Sequence, residues 1–266
     1  MEGCVKKGIL ELGFMMLFLS SIVFLHPQFV FAETKICGDY EYQYNEEYNE
    51  IEIVKYSGED KKVTVPETIE GFPVTVIKEN AFCYCRKMKT IVLPEGLQEI
   101  GEGAFESCPK LKKITFQKNA QIVKIGKNAF RDCRNLTEVK FPASLKVLES
   151  SAFEYCSKLK KVEFANNSNL RGIGSYCFSG CQSLSGIIIP KKVVTIQFYA
   201  FYECSKLKKI IFQGDIPRIE KAVFQKIYDK AVFQVPKKYK SSYQKKLKTK
   251  AWYQPTMSVR AGKGSK

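Results

Sequence analysis

The sequence predicts a repeat solenoid, a stack of about seven short coils with a cap at each end. Three observations predict this fold. A phenylalanine recurs along the chain at steps of 23, 25, 23, 25, 23 and 23 residues. Apolar residues keep fixed distances from each of these phenylalanines, and 45% of the 266 residues are hydrophobic. Since a unit of this length cannot bury a core alone, consecutive units are expected to stack.

The first 32 residues are predicted to be a secretory signal peptide. Lys6 and Lys7 precede an uncharged apolar run over residues 13–25, and the segment ends at the small residue Ala32. That run is shorter than the roughly 20 residues a membrane-spanning helix needs, although an uncleaved N-terminal anchor is the alternative. We therefore expect a secreted, extracellular protein with no transmembrane segment after cleavage, and association with the cell wall is a further option.

Histidine usage argues against catalysis. The single histidine, His26, lies in the predicted signal peptide, so the exported chain would have none. This excludes Ser–His and Cys–His catalysis and any histidine metal site from the exported chain. We expect no enzymatic activity, no catalytic residues, no metal and no cofactor.

Residues 33–62 are predicted to form an N-terminal β cap. Tyrosines stand at every second position from Tyr40, and Ile51 and Ile53 alternate in the same way, which is typical of a β-hairpin. Residues 33–60 hold nine acidic and two basic residues, a net charge of −7. An aromatic platform for a ligand is the alternative interpretation.

Residues 63–236 carry the repeat. Apolar residues nine and eleven positions after each phenylalanine have a period of two, which predicts one short strand per unit with one buried face. Such strands would align in parallel, about 4.8 Å apart. The spacing of three residues around each phenylalanine suits a turn or a short helix. The predicted structural ladder consists of Phe82, Phe105, Phe130, Phe153, Phe178 and Phe201, with Cys85, Cys108, Cys133, Cys156, Cys181 and Cys204.

The repeat resembles a known family. The pattern L-x-x-I-G-x-x-A-F-x-x-C is complete in residues 97–108. It is similar to the BspA-like leucine-rich repeats of bacterial secreted and cell-surface proteins, over about residues 63–236. The resemblance implies an α/β-type leucine-rich repeat solenoid that is exported and used for adhesion or protein binding, without shared catalytic residues. Cys177 departs from the pattern, because it takes the place of the usual alanine.

The cysteines are interpreted as structural. Six of them occupy one position of the repeat, where a small apolar side chain fits a buried site. The sequence has no C-x-x-C motif, which argues against zinc-ribbon and thioredoxin-like sites. Cys37 with Cys83 is the one candidate disulfide.

The outward residues of the predicted strands form the candidate ligand-binding surface. An extended sheet face is what solenoids use to bind partners. We expect a protein or glycan ligand at the cell surface or in a host matrix, and a monomeric chain. The candidate residues are Thr90, Lys113, Thr115, Glu138, Lys140, Lys161, Glu163, Ile188, Lys209 and Ile211.

The C-terminal end is strongly basic. Residues 235–266 contain ten lysines and arginines and no acidic residue. Residues 237–254 are predicted to form a cap helix and residues 255–266 a flexible basic tail. Electrostatic binding to an anionic cell-wall polymer or phospholipid is one interpretation, and a solvated cap is the other. Specific nucleic acid binding is not expected. The candidate anionic-surface residues are Lys237, Lys238, Lys240, Lys245, Lys246, Lys248 and Lys250.

Two functions therefore stay open. The first is an exported binding module that mediates adhesion through its sheet face. The second is a wall-associated structural protein held by its basic C-terminal end, without a specific ligand.

Overall fold

The computed structural model describes residues 33–262. The predicted signal peptide, with His26, and the last four residues of the chain lie outside the described residues. The described part is a parallel β-solenoid of about nine turns with little helix, which confirms the predicted fold class. We call each 23- to 25-residue turn of the stack a coil.

The N-terminal cap is a three-stranded antiparallel sheet that continues into the solenoid. Strands β1 (Thr34–Cys37), β2 (Tyr40–Asn45) and β3 (Glu50–Tyr56) follow one another in antiparallel pairs, and β3 pairs in parallel with the first coil. This confirms the predicted hairpin. Tyr42 and Ile53 are fully buried beneath it, because alternate residues of a strand face the same side.

Each coil contributes two strands, whereas the sequence predicted one. The predicted strands, with further strands at the two ends of the stack, form what we call the long-strand sheet. Its members are β4 (Lys62–Thr64), β7 (Thr90–Leu93), β9 (Lys113–Phe116), β11 (Glu138–Phe141) and β13 (Lys161–Phe164), followed by β15 (Gly186–Ile189), β17 (Lys209–Phe212), β19 (Val232–Val235) and β20 (Ser258–Ala261). These strands pair in parallel within two groups, β4 to β13 and β15 to β20.

A second ladder, the short-strand sheet, lies upstream of each phenylalanine. It includes β6 (Phe72–Ile77), β8 (Glu99–Ile100), β10 (Lys124–Ile125), β12 (Val147–Leu148), β14 (Gly172–Ile173), β16 (Thr195–Ile196) and β18 (Arg218–Ile219), and β5 (Thr68–Ile69) pairs with β6. Each strand after β6 has only two residues, which is too short for the sequence to show an alternating pattern. Its inward residue is the aliphatic five positions before the phenylalanine.

A tight turn that we call the arc carries the phenylalanine between the two sheets. The residues two before and two after each phenylalanine have left-handed backbone conformations, as at Asn128 (φ 56°) and Asp132 (φ 57°) around Phe130. An α-helix cannot pass through such residues, so of the two alternatives in the sequence the turn is the one formed. The amide of Phe130 donates to the carbonyl of Ala152 in the next coil at 2.8 Å, and the same bond recurs along the stack.

The core is a column of phenylalanine rings. Neighbouring rings from Phe82 to Phe224 stack with centroids 4.8–5.6 Å apart and planes within 21° of parallel. Tyr56 stacks on Phe82 at one end, and Trp252 meets Phe224 edge-on at the other. The two caps therefore close the same aromatic column that the repeat builds.

The ladder cysteines lie beside this column. From Cys108 to Cys204 they are fully buried, whereas Cys85 in the first coil is only half-buried. Each of the buried five donates a hydrogen bond from its thiol to the phenylalanine carbonyl of the preceding coil, at 3.1–3.3 Å. Cys177, in the place of the usual alanine, is also fully buried.

The C-terminal cap begins after β19 with a 3₁₀ turn (Lys237–Tyr239) and helix α1 (Lys240–Lys248). A C-terminal cap helix is thereby confirmed, with Tyr243 and Leu247 buried. It ends at Lys248 and does not reach residue 254 as predicted, because the chain turns there and places Trp252 against Phe224. The Tyr243 hydroxyl donates to the carbonyls of Gly214 (3.2 Å) and Asp215 (2.9 Å) in the last coil. Within residues 33–262, no helix combines the length and apolar content needed to cross a bilayer.

The predicted flexible tail is in part ordered. Residues 258–261 form β20, which pairs in parallel with β19. The prediction from residue 255 onward was wrong for this segment, because Met257 and Val259 are buried against the last coil. Their spacing of two is the apolar alternation of a strand.

Candidate functional site

The outward face of the long-strand sheet brings the predicted ligand-binding residues together. Pairing places Thr90, Lys113, Glu138 and Lys161 in one row across four strands. A second row is formed by the residues two positions further along each strand, including Thr115, Lys140 and Glu163. All of these side chains are exposed or half-buried. The structure thus places the candidates on one surface, as the period of two requires.

Charges on the first group of strands neutralise one another in part. Glu163 lies 3.3 Å from the Nζ of Lys140 and 2.5 Å from the Nζ of Lys161. The hydrogen bond from Lys161, with the nearby Lys140 charge, lowers the pKa of the Glu163 carboxyl. Because all three groups are solvated, these pairs add little to stability. Lys113 takes no ion pair within residues 33–262 and leaves a net positive charge on this part of the face.

The second group of strands presents an apolar surface. Ile188 is 44% exposed and lies in register with Ile211 on the next strand. Gly186 stands in register with Lys209 and adds no side chain to the face. A flat aliphatic surface with a lysine at its edge results. Such a surface is suited to a partner that covers it, since exposed aliphatic pairs gain free energy when water is excluded.

The face extends beyond the residues that the sequence identified. Val232 and Gln234 continue the two rows on β19, and Arg260 lies in register with Gln234 on β20. Val232 and Gln234 stand eight and ten residues after Phe224, the same positions as in the other units. That spacing could have identified them, although the cysteine and leucine positions of this unit are lost.

The candidate anionic-surface lysines divide into two groups. Lys246 and Lys250 donate to backbone carbonyls of the last coil, at Pro217 (3.4 Å) and Ile219 (2.6 Å). These two lysines therefore help to terminate the solenoid. The other five are exposed on the 3₁₀ turn and α1, with the Nζ of Lys238 over the Tyr239 ring. These five are Lys237, Lys238, Lys240, Lys245 and Lys248.

The candidate disulfide is not formed in the structure. Cys83 is a half-buried thiol that is not bonded to Cys37, and it lines a surface depression beside Tyr56 and Arg86. Loss of solvation raises the pKa of the Cys83 thiol. Within residues 33–262, no group of three or more histidine, cysteine or acidic side chains could hold a metal ion.

Comparison with known families decides what kind of repeat this is. A family model described as the BspA type leucine rich repeat region matches residues 54–169 and 164–249, with six copies of the repeat. The chain belongs to the BspA-type leucine-rich repeat family. The match covers nearly the whole solenoid and much of the C-terminal cap. A comparison with curated protein sequences finds no match.

Solved structures of bacterial leucine-rich repeat proteins share the fold. A leucine-rich cell-surface protein of Faecalibacterium prausnitzii is 24% identical, with a TM-score of 0.50, 77% of this chain covered and 70% of the other. A leucine-rich repeat protein of T. pallidum is 21% identical, with a TM-score of 0.54, 85% of this chain covered and 100% of the other. At these identities the likeness concerns the fold. This BspA-type chain is therefore a repeat solenoid of the kind that serves as a binding scaffold.

Proposed function

We propose that this BspA-type protein is an exported binding module that uses the outward face of its long-strand sheet to attach to a protein or glycan at the cell surface or in a host matrix. The apolar pair Ile188 and Ile211 carries the proposal, because the exposed Ile188 and the half-buried Ile211 lie in register on the outward face of the sheet. The charged rows around Glu163 and Lys113 would give such a partner its orientation.

Support for the extracellular location comes from the apolar run over residues 13–25 and from the family. A cell-surface protein stands among the solved structures with the same fold. The acidic N-terminal cap and the basic C-terminal end also give the molecule a charge polarity along the stack. Such polarity would orient the chain toward a charged surface before contact is made.

A double substitution on the apolar pair tests the proposal. The Ile188→Glu/Ile211→Glu variant and the unmodified chain are immobilised and exposed to purified matrix proteins, surface extracts and glycan arrays. We expect the unmodified chain to bind a defined ligand and this variant to lose that binding. The matched control is Ile36→Glu/Tyr48→Glu, which changes two exposed apolar residues of the N-terminal cap. Equal binding by all three folded proteins would show that the long-strand face is not the site.

A charge-reversal variant separates the two groups of strands. Lys113→Glu/Lys140→Glu/Lys161→Glu changes the first group only. A ligand lost in this variant but kept in the isoleucine variant would place the contact on the charged rows.

The second candidate function is a structural protein held at the wall by its basic end. Five lysines of the C-terminal cap are exposed, and none of them forms an ion pair within the described part of the chain. Attachment to an anionic polymer by these charges would be reversed by salt, because solvated ion pairs are screened. Release of the protein from cells at about 0.5 M salt, with no ligand found on any array, would favour this function.

A further inference from the structure

A groove crosses the short-strand sheet, on the side of the coil away from the proposed ligand face. Pairing places Val147, Gly172 and Thr195 in one row, so a side chain is missing from the middle of three neighbouring strands. The flanking strands lie two strand spacings apart, about 9–10 Å. The resulting groove has a volume of about 480 Å³.

The floor of the groove is backbone. A Cβ at Gly174 would lie 2.5 Å from the carbonyl carbon of Glu149, so only glycine allows the two coils to approach this closely. Gly172 is different, since its Cβ would lie 3.2 Å from the Thr195 side chain and no closer than 3.9 Å to backbone, at the Thr195 carbonyl oxygen. The gap at Gly172 is therefore not imposed by packing in the way that Gly174 is.

The walls of the gap at Gly172 are Val147 on one side and Thr195 on the other. Val147 is 40% exposed, and Val194, which is 60% exposed, also lines the groove. The Val147 side chain and the Thr195 methyl group, one side chain apart, fit a single apolar side chain of a ligand, because its burial removes apolar surface of both partners from water.

The charges at the rim are positive and unused. Lys146 and Arg171 line the groove, are exposed and take no ion pair within residues 33–262. The acidic group of the lining, Glu149, already accepts a hydrogen bond from the amide of Lys127 at 3.1 Å and lies 3.6 Å from the Nζ of Lys124. The groove therefore offers a ligand two available cations, whereas its carboxylate, Glu149, is already bonded.

We propose that this groove binds an extended acidic peptide segment of a partner protein, with one aliphatic side chain in the gap at Gly172 and carboxylates on Lys146 and Arg171. In an extended peptide alternate residues point the same way. A segment with an acidic residue two positions before and two positions after an aliphatic residue would thus direct its aliphatic side chain and both carboxylates toward the groove. A polyanionic glycan would also meet the two cations, but it has no group that needs the aliphatic gap.

Fluorescence anisotropy with three labelled nonapeptides tests the proposal on the folded chain. The glutamate–valine peptide has a central valine with glutamate two residues before and two residues after it in a serine background, the glutamate–serine peptide has serine in place of that valine, and the lysine–valine peptide has lysine in place of the glutamates. The glutamate–valine peptide is expected to bind, and the other two at least about tenfold more weakly. Equal binding of the glutamate–serine peptide would overturn the proposal in favour of a polyanion site. Binding by none of the peptides would also overturn it.

A filled groove supplies the decisive variant. Gly172→Val adds the missing side chain, which is the one that Val147 carries on the preceding strand. This variant is expected to bind the glutamate–valine peptide about tenfold more weakly. Gly172→Ala/Thr195→Ser fills the gap less but relieves the close contact, so it serves if Gly172→Val does not fold. Lys146→Glu/Arg171→Glu is expected to show a similar loss.

The matched control is Gly186→Val, which adds the same side chain at an outward position of the long-strand sheet. There a Cβ would come no closer than 3.4 Å to the Lys209 carbonyl. This variant should bind the peptide within twofold of the unmodified chain. Unchanged affinity in Gly172→Val, or equal loss in Gly186→Val, would contradict the assignment. Because Ile188 and Ile211 lie on the other sheet, failure here leaves the proposed function untouched.

Discussion

The thiol of Cys133 donates a hydrogen bond of 3.1 Å to the carbonyl oxygen of Phe105 in the preceding coil. The carbonyl of Phe130, one coil on, accepts both the Cys133 amide (3.3 Å) and the thiol of Cys156 (3.2 Å). Cysteine is thus more than a small apolar filler at this position. It uses the second lone pair of a buried carbonyl that the backbone leaves available.

The thiol ladder should be sensitive to truncation. Cys133→Ala removes a buried sulfur and the donor to Phe105, and we expect the free energy of unfolding to fall by about 1–3 kcal/mol. Chemical denaturation measures this. Cys83→Ala is the control, since Cys83 is half-buried and outside the ladder, and a change within about 0.5 kcal/mol is expected there. Equal losses in the two variants would argue against a special role for the ladder.

Stability should decline in alkaline solution. Burial raises the pKa of the thiols of Cys133, Cys156, Cys177 and Cys204 above their ordinary value of 9.0. Above pH 9 the unfolded chain loses these protons and the folded chain keeps them, so the free energy of unfolding falls as pH rises. Each such thiol contributes about 1.4 kcal/mol per pH unit to the decline.

Urea denaturation at pH 8, 9 and 10 checks this slope. Cys156→Ala should show a shallower decline than the unmodified chain, because one buried thiol is gone. Identical slopes for the two proteins would mean that other groups control the alkaline limb.

The aromatic column should dominate the stability of the interior. Phe130 is fully buried and stacks on Phe105 at 4.9 Å and on Phe153 at 5.0 Å. Phe130→Ala is expected to cost about 3–5 kcal/mol. Phe198→Ala, which truncates a phenylalanine that is 46% exposed, should change the unfolding free energy by less than about 1 kcal/mol. Thermal unfolding of both variants tests the contrast, and a mild Phe130→Ala effect would refute it.

One substitution should stabilise the protein. Ala222 has φ 58°, in the left-handed region that disfavours residues with a Cβ. The equivalent residue five coils upstream is a glycine, Gly103, with φ 59°. Ala222→Gly should therefore raise the free energy of unfolding by about 1 kcal/mol. Ala104→Gly is the control, because Ala104 is not in the left-handed region and should lose stability. A loss in both variants would show that the strain at Ala222 is negligible.

The sequence predicts the stacking of coils well because the same apolar pattern recurs in every unit. Each inward position of the long strands, such as Ile91 and Leu93, is fixed by its distance from a phenylalanine, and the two caps follow from alternation at Tyr40 and helical spacing at Tyr243. The short strands escape prediction, since a two-residue strand such as Glu99–Ile100 has no period.

The surfaces are less predictable than the core. The outward position of Ile188 follows from the period of two, but the exposure of Val194 and the gap at Gly172 depend on what neighbouring coils place beside them. The roles of Lys246 and Lys250 were also hidden, because a lysine that caps a carbonyl and a lysine that faces solvent look the same in a basic run. Residues 258–261 lacked a repeat context, and only the alternation of Met257 and Val259 signals their strand.

The C-terminal cap has a consequence for how long such a protein can become. Tyr243, Lys246 and Lys250 bond to carbonyls between Gly214 and Ile219, all within one coil. The N-terminal hairpin likewise pairs with the first coil, through β3 and β6. Duplication or deletion of one whole interior unit would therefore change the length of the stack by one coil and leave both caps intact. Recombination between repeats could therefore alter the length of the solenoid without any change in the sequence of either cap.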